Sequence, residues 1–177
     1  MRRHGKATAL RDQIFRSRAR ALINEKMGSV FEAGALGIDG RRVRFEPIDR
    51  AAITACEYWE GSTYPWEHVS GWKKSDAKGF DLAIWYNQTL CGLCYATPRQ
   101  SRLTIKIILL EGKPGSEHPL KGLIAPLALM GVDLYAQMLG CREIEIQQPA
   151  ADAVAYYQAL GFQFDEARRL VISVGGS

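Results

Sequence analysis

Residues 152–162 read Asp152-Ala153-Val154-Ala155-Tyr156-Tyr157-Gln158-Ala159-Leu160-Gly161-Phe162, and this stretch decides the fold. Asp152 is suited to cap a helix start, because its carboxylate accepts a free backbone N–H. Gly161 is suited to end the same helix in the left-handed conformation that other residues resist. Between them Ala153, Tyr156, Tyr157 and Leu160 recur at helical spacing, so both tyrosines are expected to lean towards packed structure. Strand-like runs lie on either side, Arg142-Glu143-Ile144-Glu145-Ile146 before it and Arg169-Leu170-Val171-Ile172-Ser173-Val174 after it.

Upstream, the pattern predicts the rest of one α/β domain. Arg42 to Glu46 alternates apolar Val43 and Phe45 with charge, as a strand does. Asp49 caps a helix carrying Ala52, Ile53, Cys56 and Trp59 that stops at Gly61, and Pro65 suits the first turn of a second, with Trp66, Val69 and Trp72. Phe80–Tyr86 and Leu90–Thr97 read as a hairpin around Asn87-Gln88-Thr89. Leu103–Leu110 is a third strand, with Leu103, Ile105, Ile107 and Leu109 expected on one face. After a loop rich in Gly and Pro comes an apolar helix, about Leu123 to Met138, closed by Gly140, and then a strand over Cys141–Gln147. The order β-α-α-β-β-β-α-β-α-β predicts an antiparallel meander plus a β-α-β crossover: a mixed sheet with helices on both faces.

This order, together with Tyr157-x-x-Leu160-Gly161-Phe162, resembles the GNAT acetyltransferase superfamily over about residues 42–174. The resemblance implies an acyl-CoA-dependent N-acyltransferase whose donor, acetyl-CoA or a close relative, lies where the strands Leu103–Leu110 and Cys141–Gln147 splay apart. It places the donor pyrophosphate on backbone N–H groups at the start of the helix that follows, an anion site by the general physics of helix N-termini. The implied donor contacts are Leu109, Leu110, Ser116, Lys121, Gly122, Leu123, Ala125 and Tyr157. The loop 111–122 departs from the family pattern of Arg or Gln, two residues, Gly, one residue, Gly or Ala. Aligned on Gly140, those places hold Leu120, Leu123 and Ala125, so only Ala125 fits; one place back recovers Gly122 alone. Either the phosphate grip is rebuilt around Lys121 and Gly122, or donor binding has weakened.

The family's tyrosine at Tyr157 protonates the departing CoA thiolate, and a phenol near its usual pKa of about 10 has that proton at pH 7. The Asn common seven residues earlier is Ala150 here. Glu111, ending a cleft strand, is the first candidate for general base, with Glu57, Glu67 and His68 as alternatives. Trp59, Tyr64 and Trp66 form either an acceptor wall or the core that pins two short helices. Direct attack of an amine on a thioester needs positioning and thiolate protonation, and no metal. The acceptor is an amine on a protein, a small molecule or an aminoacyl-tRNA.

The chain has 177 residues, is 47% hydrophobic and carries a formal charge of +4. The charge is uneven: residues 1–44 hold 11 Lys and Arg against 4 Asp and Glu, the remainder 12 against 15. Residues 1–41 therefore read as a basic helical extension before an acyltransferase domain at 42–177, with Leu10, Ile14, Ala21 and Leu22 as a modest apolar stripe. Removing the extension is expected to leave a folded domain. Residues 1–26 present either a solvated face or a surface for nucleic acid, an acidic partner or a second copy of the chain. A second reading of the whole is a catalytically silent GNAT-shaped binding module that uses this arm. Cys91-Gly92-Leu93-Cys94 has C-x-x-C spacing, but residues three apart on a strand face opposite ways and no second ligand pair has zinc spacing. The four cysteines are expected as buried free thiols, which suggests a reducing, cytoplasmic setting. No run reaches the length of a membrane helix, and none at the N-terminus resembles a signal peptide.

Overall fold

A computed structural model describes residues 2–29, 34, 37–62, 64–101, 103–115 and 117–176. One seven-stranded sheet runs through it in the order β1-β2-β3-β4-β5-β7-β6. The strands are β1 (Val43–Glu46), β2 (Phe80–Tyr86), β3 (Thr89–Pro98), β4 (Thr104–Gly112), β5 (Glu143–Ile146), β6 (Gln163–Phe164) and β7 (Leu170–Ser173). Only β4 and β5 are parallel, joined by the crossover helix; all other neighbours are antiparallel. The helices are α1 (Arg2–Gly28), α2 (Arg50–Glu57), α3 (Val69–Ser75), α4 (Ile124–Leu139) and α5 (Val154–Ala159), with short 3-10 turns at Gly40–Arg42 and Trp66–His68. The two-residue strand β6 was not foreseen.

Local chemistry explains the element ends. Asp49 accepts from the Ala52 N–H and starts α2, while Gly140 (φ 78°) ends α4 in the left-handed region. Gly161 (φ 106°) likewise ends the short helix, and the Phe162 N–H reaches back to the Tyr157 carbonyl at 3.1 Å. The expected Asp152 cap is not made. The helix begins at Val154 behind Ala153 with no side-chain cap, and Asp152 lies exposed in the preceding turn.

Two bulges reset which residues share a face. Along β3–β4, Tyr95 pairs with Leu109 but Ala96 pairs with Ile107, so Ile108 is extra. Ile105 and Ile107 therefore join the core under α1 and α4, whereas Leu109 packs with Trp59 and Trp66 on the opposite face. Leu103 precedes the strand and is exposed, so the expected single face of Leu103, Ile105, Ile107 and Leu109 is broken. A second irregularity leaves Cys91 unpaired between Ile84↔Gly92 and Trp85↔Leu90, which turns Cys91 and Cys94 into one cluster instead of onto opposite faces. All four cysteines are buried and free.

Helix α1 does not stand apart from the domain. Ala19, Ile23 and Met27 are fully buried in the same cluster as β1–β5 and α4. Leu10 and Ile14, from the anticipated stripe, are instead exposed. Arg20 donates to the Asp81 carbonyl and carboxylate at 2.7 and 2.8 Å, and the same buried carboxylate takes Lys73 at 2.9 Å and the Ile48 N–H at 2.7 Å. Burial lowers the Arg20 pKa against the pull of Asp81. Arg16 donates to the Ala77 carbonyl. Two of the basic residues thus tie the helix to β2 and its approach.

Candidate active site

The parallel pairing of β4 and β5 ends at Ile107↔Ile146, and a last bond runs from the Gln147 N–H to the Ile107 carbonyl at 3.1 Å. Beyond it β4 continues for five residues alongside β3 only, while Gln148 (φ 46°) turns the other chain away. The open wedge is a cavity of about 370 Å³ lined by Leu109, Leu110, Gln147, Ala150, Tyr64 and Tyr157, among others. Leu109 and Leu110, expected as donor contacts, both line this wedge.

On one side the wedge meets a second cavity, about 310 Å³, walled by Leu110, Lys113, His118, Lys121, Gly122, Ala125, Tyr156 and Tyr157, among others. Gly122 (φ 79°) gives the loop a conformation that side chains resist, just before α4. Leu123 forms the uncapped helix start and packs against the core rather than lining the cavity. Ser116 lies outside the described residues. Pro126 sits third in α4 and has no N–H, so the helix start offers fewer amide donors than usual. Leu120 is fully buried and cannot replace an anion-binding Arg or Gln. Positive side chains make up part of the deficit: Lys113 and Lys121 line the cavity, although Lys121 also bonds the Gly115 carbonyl at 2.8 Å.

Tyr157 stands between the two cavities and lines both. Its ring meets Phe162 and Tyr156 edge-on, at centroid distances both of 5.8 Å. Its hydroxyl makes no hydrogen bond among the described residues. Burial, with lesser repulsion from Cys94, Tyr64 and Tyr156, pushes the phenol up to about 12. It therefore stays a proton carrier across the neutral range. Tyr156 was expected to pack, yet it is 43% exposed and reaches the Gly122 carbonyl at 3.5 Å.

On the other side Tyr64 joins the wedge to a third cavity, about 460 Å³, whose walls include Cys56, Glu57, Trp59, Ser62, Trp66 and Glu67. Because of the β4 bulge, Glu111 faces this side. Its Oε2 accepts from Trp66 Nε1 at 2.8 Å and Ser62 Oγ at 3.2 Å. Its Oε1 has no hydrogen-bond partner among the described residues and is free to take a proton, directly or through water. Trp59 and Trp66 are buried and both pack the small core and edge the cavity, whereas Tyr64 is half-exposed. The two expected roles of this aromatic group coexist. His68 is absent from the lining and lies exposed beside Glu67 at 3.9 Å. Burial and then Glu111 push the Cys56 thiol up to about 11, so it is no thiolate at neutral pH.

Sequence reading missed His118, Ser62 and the Gln147-Gln148 turn. The first two are polar residues in irregular loops, where periodicity gives no signal. Among the described residues no group of three or more His, Cys, Asp or Glu can hold a metal ion, and no helix is long and apolar enough to cross a membrane.

No protein-family model matches the sequence, and no curated protein matches it. Solved structures do. Ard1 from Thermoplasma volcanium superposes with a TM-score of 0.56 at 10% identity, over 76% of this chain and 99% of that one. The ribosomal-protein alanine N-acetyltransferase of Escherichia coli gives 0.54 at 12%, over 76% and 96%. A protein assigned to the GNAT acetyltransferase family from Desulfovibrio desulfuricans gives 0.54 at 15%, over 75% and 99%. The chain thus has the GNAT fold, as its element order and C-terminal helix suggested.

Proposed function

We propose that the protein is an acyl-CoA-dependent N-acyltransferase that acts on a cationic primary amine. One observation carries the reading: Tyr157, a proton-bearing phenol with no hydrogen bond among the described residues, stands between the wedge beside β4 and β5 and the cavity that holds Lys113 and Lys121. In this reading the diphosphate rests by Lys113, Lys121 and Gly122, and the thioester lies along Leu109 and Leu110. The amine approaches past Tyr64 from the cavity edged by Glu57 and Glu67. Glu111 Oε1 takes one ammonium proton, the neutral nitrogen attacks the carbonyl carbon, the C–S bond breaks as Tyr157 gives its proton to the thiolate, and the nitrogen's surplus proton then returns to the Tyr157 phenolate through water. Trp66 and Ser62 hold the Glu111 carboxylate for that task.

The charge of the acceptor follows from the walls. The charged side chains on the walls of the third cavity are Glu57 and Glu67, with Glu111 behind Ser62 and Trp66. The basic helix α1 packs on the α4 face of the sheet, away from the cluster containing Trp59 and Trp66. That arrangement favours a cationic acceptor over a nucleic acid. An assay of CoA thiol release is expected to show turnover with acetyl-CoA and a polyamine, with kcat/KM at least tenfold above that for an uncharged or anionic amine. A preference for the anionic amine would refute the acceptor assignment.

A further inference from the structure

His118 is 9% exposed, lines the cavity beside Lys113 and Lys121, and has its Nδ1 buried without a hydrogen-bond partner. An unpartnered buried nitrogen costs free energy and marks a place where a ligand atom is expected. The cavity is next to a helix start whose third residue is Pro126, and its expected Arg or Gln position is the buried Leu120. Three cation-capable side chains thus surround a position where backbone donors are scarce.

We propose that His118 binds the donor's diphosphate and gains a proton as the diphosphate enters. This deepens the acyltransferase reading and rests on it.

The charged and titratable surroundings fix the sign. Lys113 opens the loop just after β4, and Lys121 lies near its end. Tyr156 and Tyr157 face the cavity from α5, the Cys91 backbone carbonyl of β3 accepts from the Lys113 N–H, and α4 contributes only Ile124 and Ala125. Glu117 is exposed. Burial, then Lys121 and Lys113, lowers the His118 pKa below its usual value, which favours the neutral imidazole without ligand. A dianionic diphosphate offsets both lysines and accepts from the imidazolium, which raises that pKa. The complex then binds more protons than the free protein, so donor affinity must rise as pH falls. A conventional grip of backbone amides has no such dependence.

The test is calorimetric titration of the full chain with dephospho-CoA. Its diphosphate has no pKa near neutrality, and it lacks the 3′-monoester of CoA, which itself titrates near about 6. Titrations near about pH 6.5 in two buffers of different ionisation enthalpy should show net uptake of a sizeable fraction of a proton per site. Affinity should strengthen severalfold from pH 8 to pH 6. His118→Gln should abolish both the uptake and the pH dependence. Titrating the His118 imidazole resonances in the wild-type chain, free and saturated, reads the same rise without any variant. Binding without uptake, uptake undiminished in His118→Gln, or an unmoved imidazole would overturn the proposal. No binding of either dephospho-CoA or acetyl-CoA would overturn the acyltransferase reading, and this inference with it.

Discussion

Deleting residues 1–28 is expected to abolish cooperative folding, although the fold resemblance begins only near residue 42. The helix removed carries Ala19, Ile23 and Met27, all fully buried among strands β1–β5 and α4. Burying an Ile or Met side chain is worth about 1.5–3 kcal/mol, and exposing the partner faces on β1 and α4 adds to the loss. The deletion also takes Arg20 from the buried Asp81, and breaking a buried ion pair typically costs about 3–5 kcal/mol. Lys73 and the Ile48 N–H remain on Asp81 and soften that part. Against a total stability of about 5–15 kcal/mol these losses are decisive. Urea unfolding and near-ultraviolet circular dichroism check it: the truncated chain should show neither a sigmoidal transition nor fixed aromatic signals. A truncated chain as stable as the full one would restore a separable extension, and its unchanged core would need another cover. The proposal is therefore that residues 1–41 are integral to one domain.

Tyr157→Phe is expected to lower kcat by about a hundredfold, about 2.7 kcal/mol of barrier, with little change in stability. The ring keeps its contacts to Tyr156 and Phe162, and the hydroxyl it loses holds no hydrogen bond among the described residues. The pH profile has a defined sign. Burial raises the phenol to about 12, so its proton-bearing form persists through the neutral range and is lost only as pH climbs from about 10 towards 12. No alkaline fall in kcat should appear below about pH 10 in the wild type. The same raised pKa adds stability that is full below about 10 and disappears as pH rises through the folded value. Unchanged kcat under chemistry-limited conditions would make Tyr157 a packing residue and leave thiolate protonation to water.

The sequence made the architecture legible because its punctuation is strong. Asp49, Gly140 and Gly161 mark ends that the chain uses, and the strand runs differ sharply from the long apolar helix. The failures have a common physical origin. Single-residue bulges at Ile108 and Cys91 shift the period of two by one, so Leu109 and the cysteine pair changed faces. That same shift aims Glu111 at Trp66 and Ser62, which periodicity alone would have turned away. In α1 the hydrophobic stripe misled because Leu10 and Ile14 outweigh Ala19, Ile23 and Met27 by position, and only tertiary packing chose between the two faces. Of the candidate site, Tyr157 was anticipated from the C-terminal motif and Glu111 from the end of the implied cleft strand, whereas His118 was hidden in an aperiodic loop.

The most direct measurement is binding of acetyl-CoA to the full-length chain, by calorimetry and by thermal denaturation on the same sample. Saturable binding at one site per chain is predicted, with protection of the segment 110–125 from hydrogen exchange. At donor about a hundredfold above Kd the native state gains about 2.7 kcal/mol, which for a chain of this size raises Tm by about 5–10 °C. No heat of binding and an unmoved Tm at millimolar acetyl-CoA would contradict the acyltransferase reading and leave a GNAT-shaped binding module.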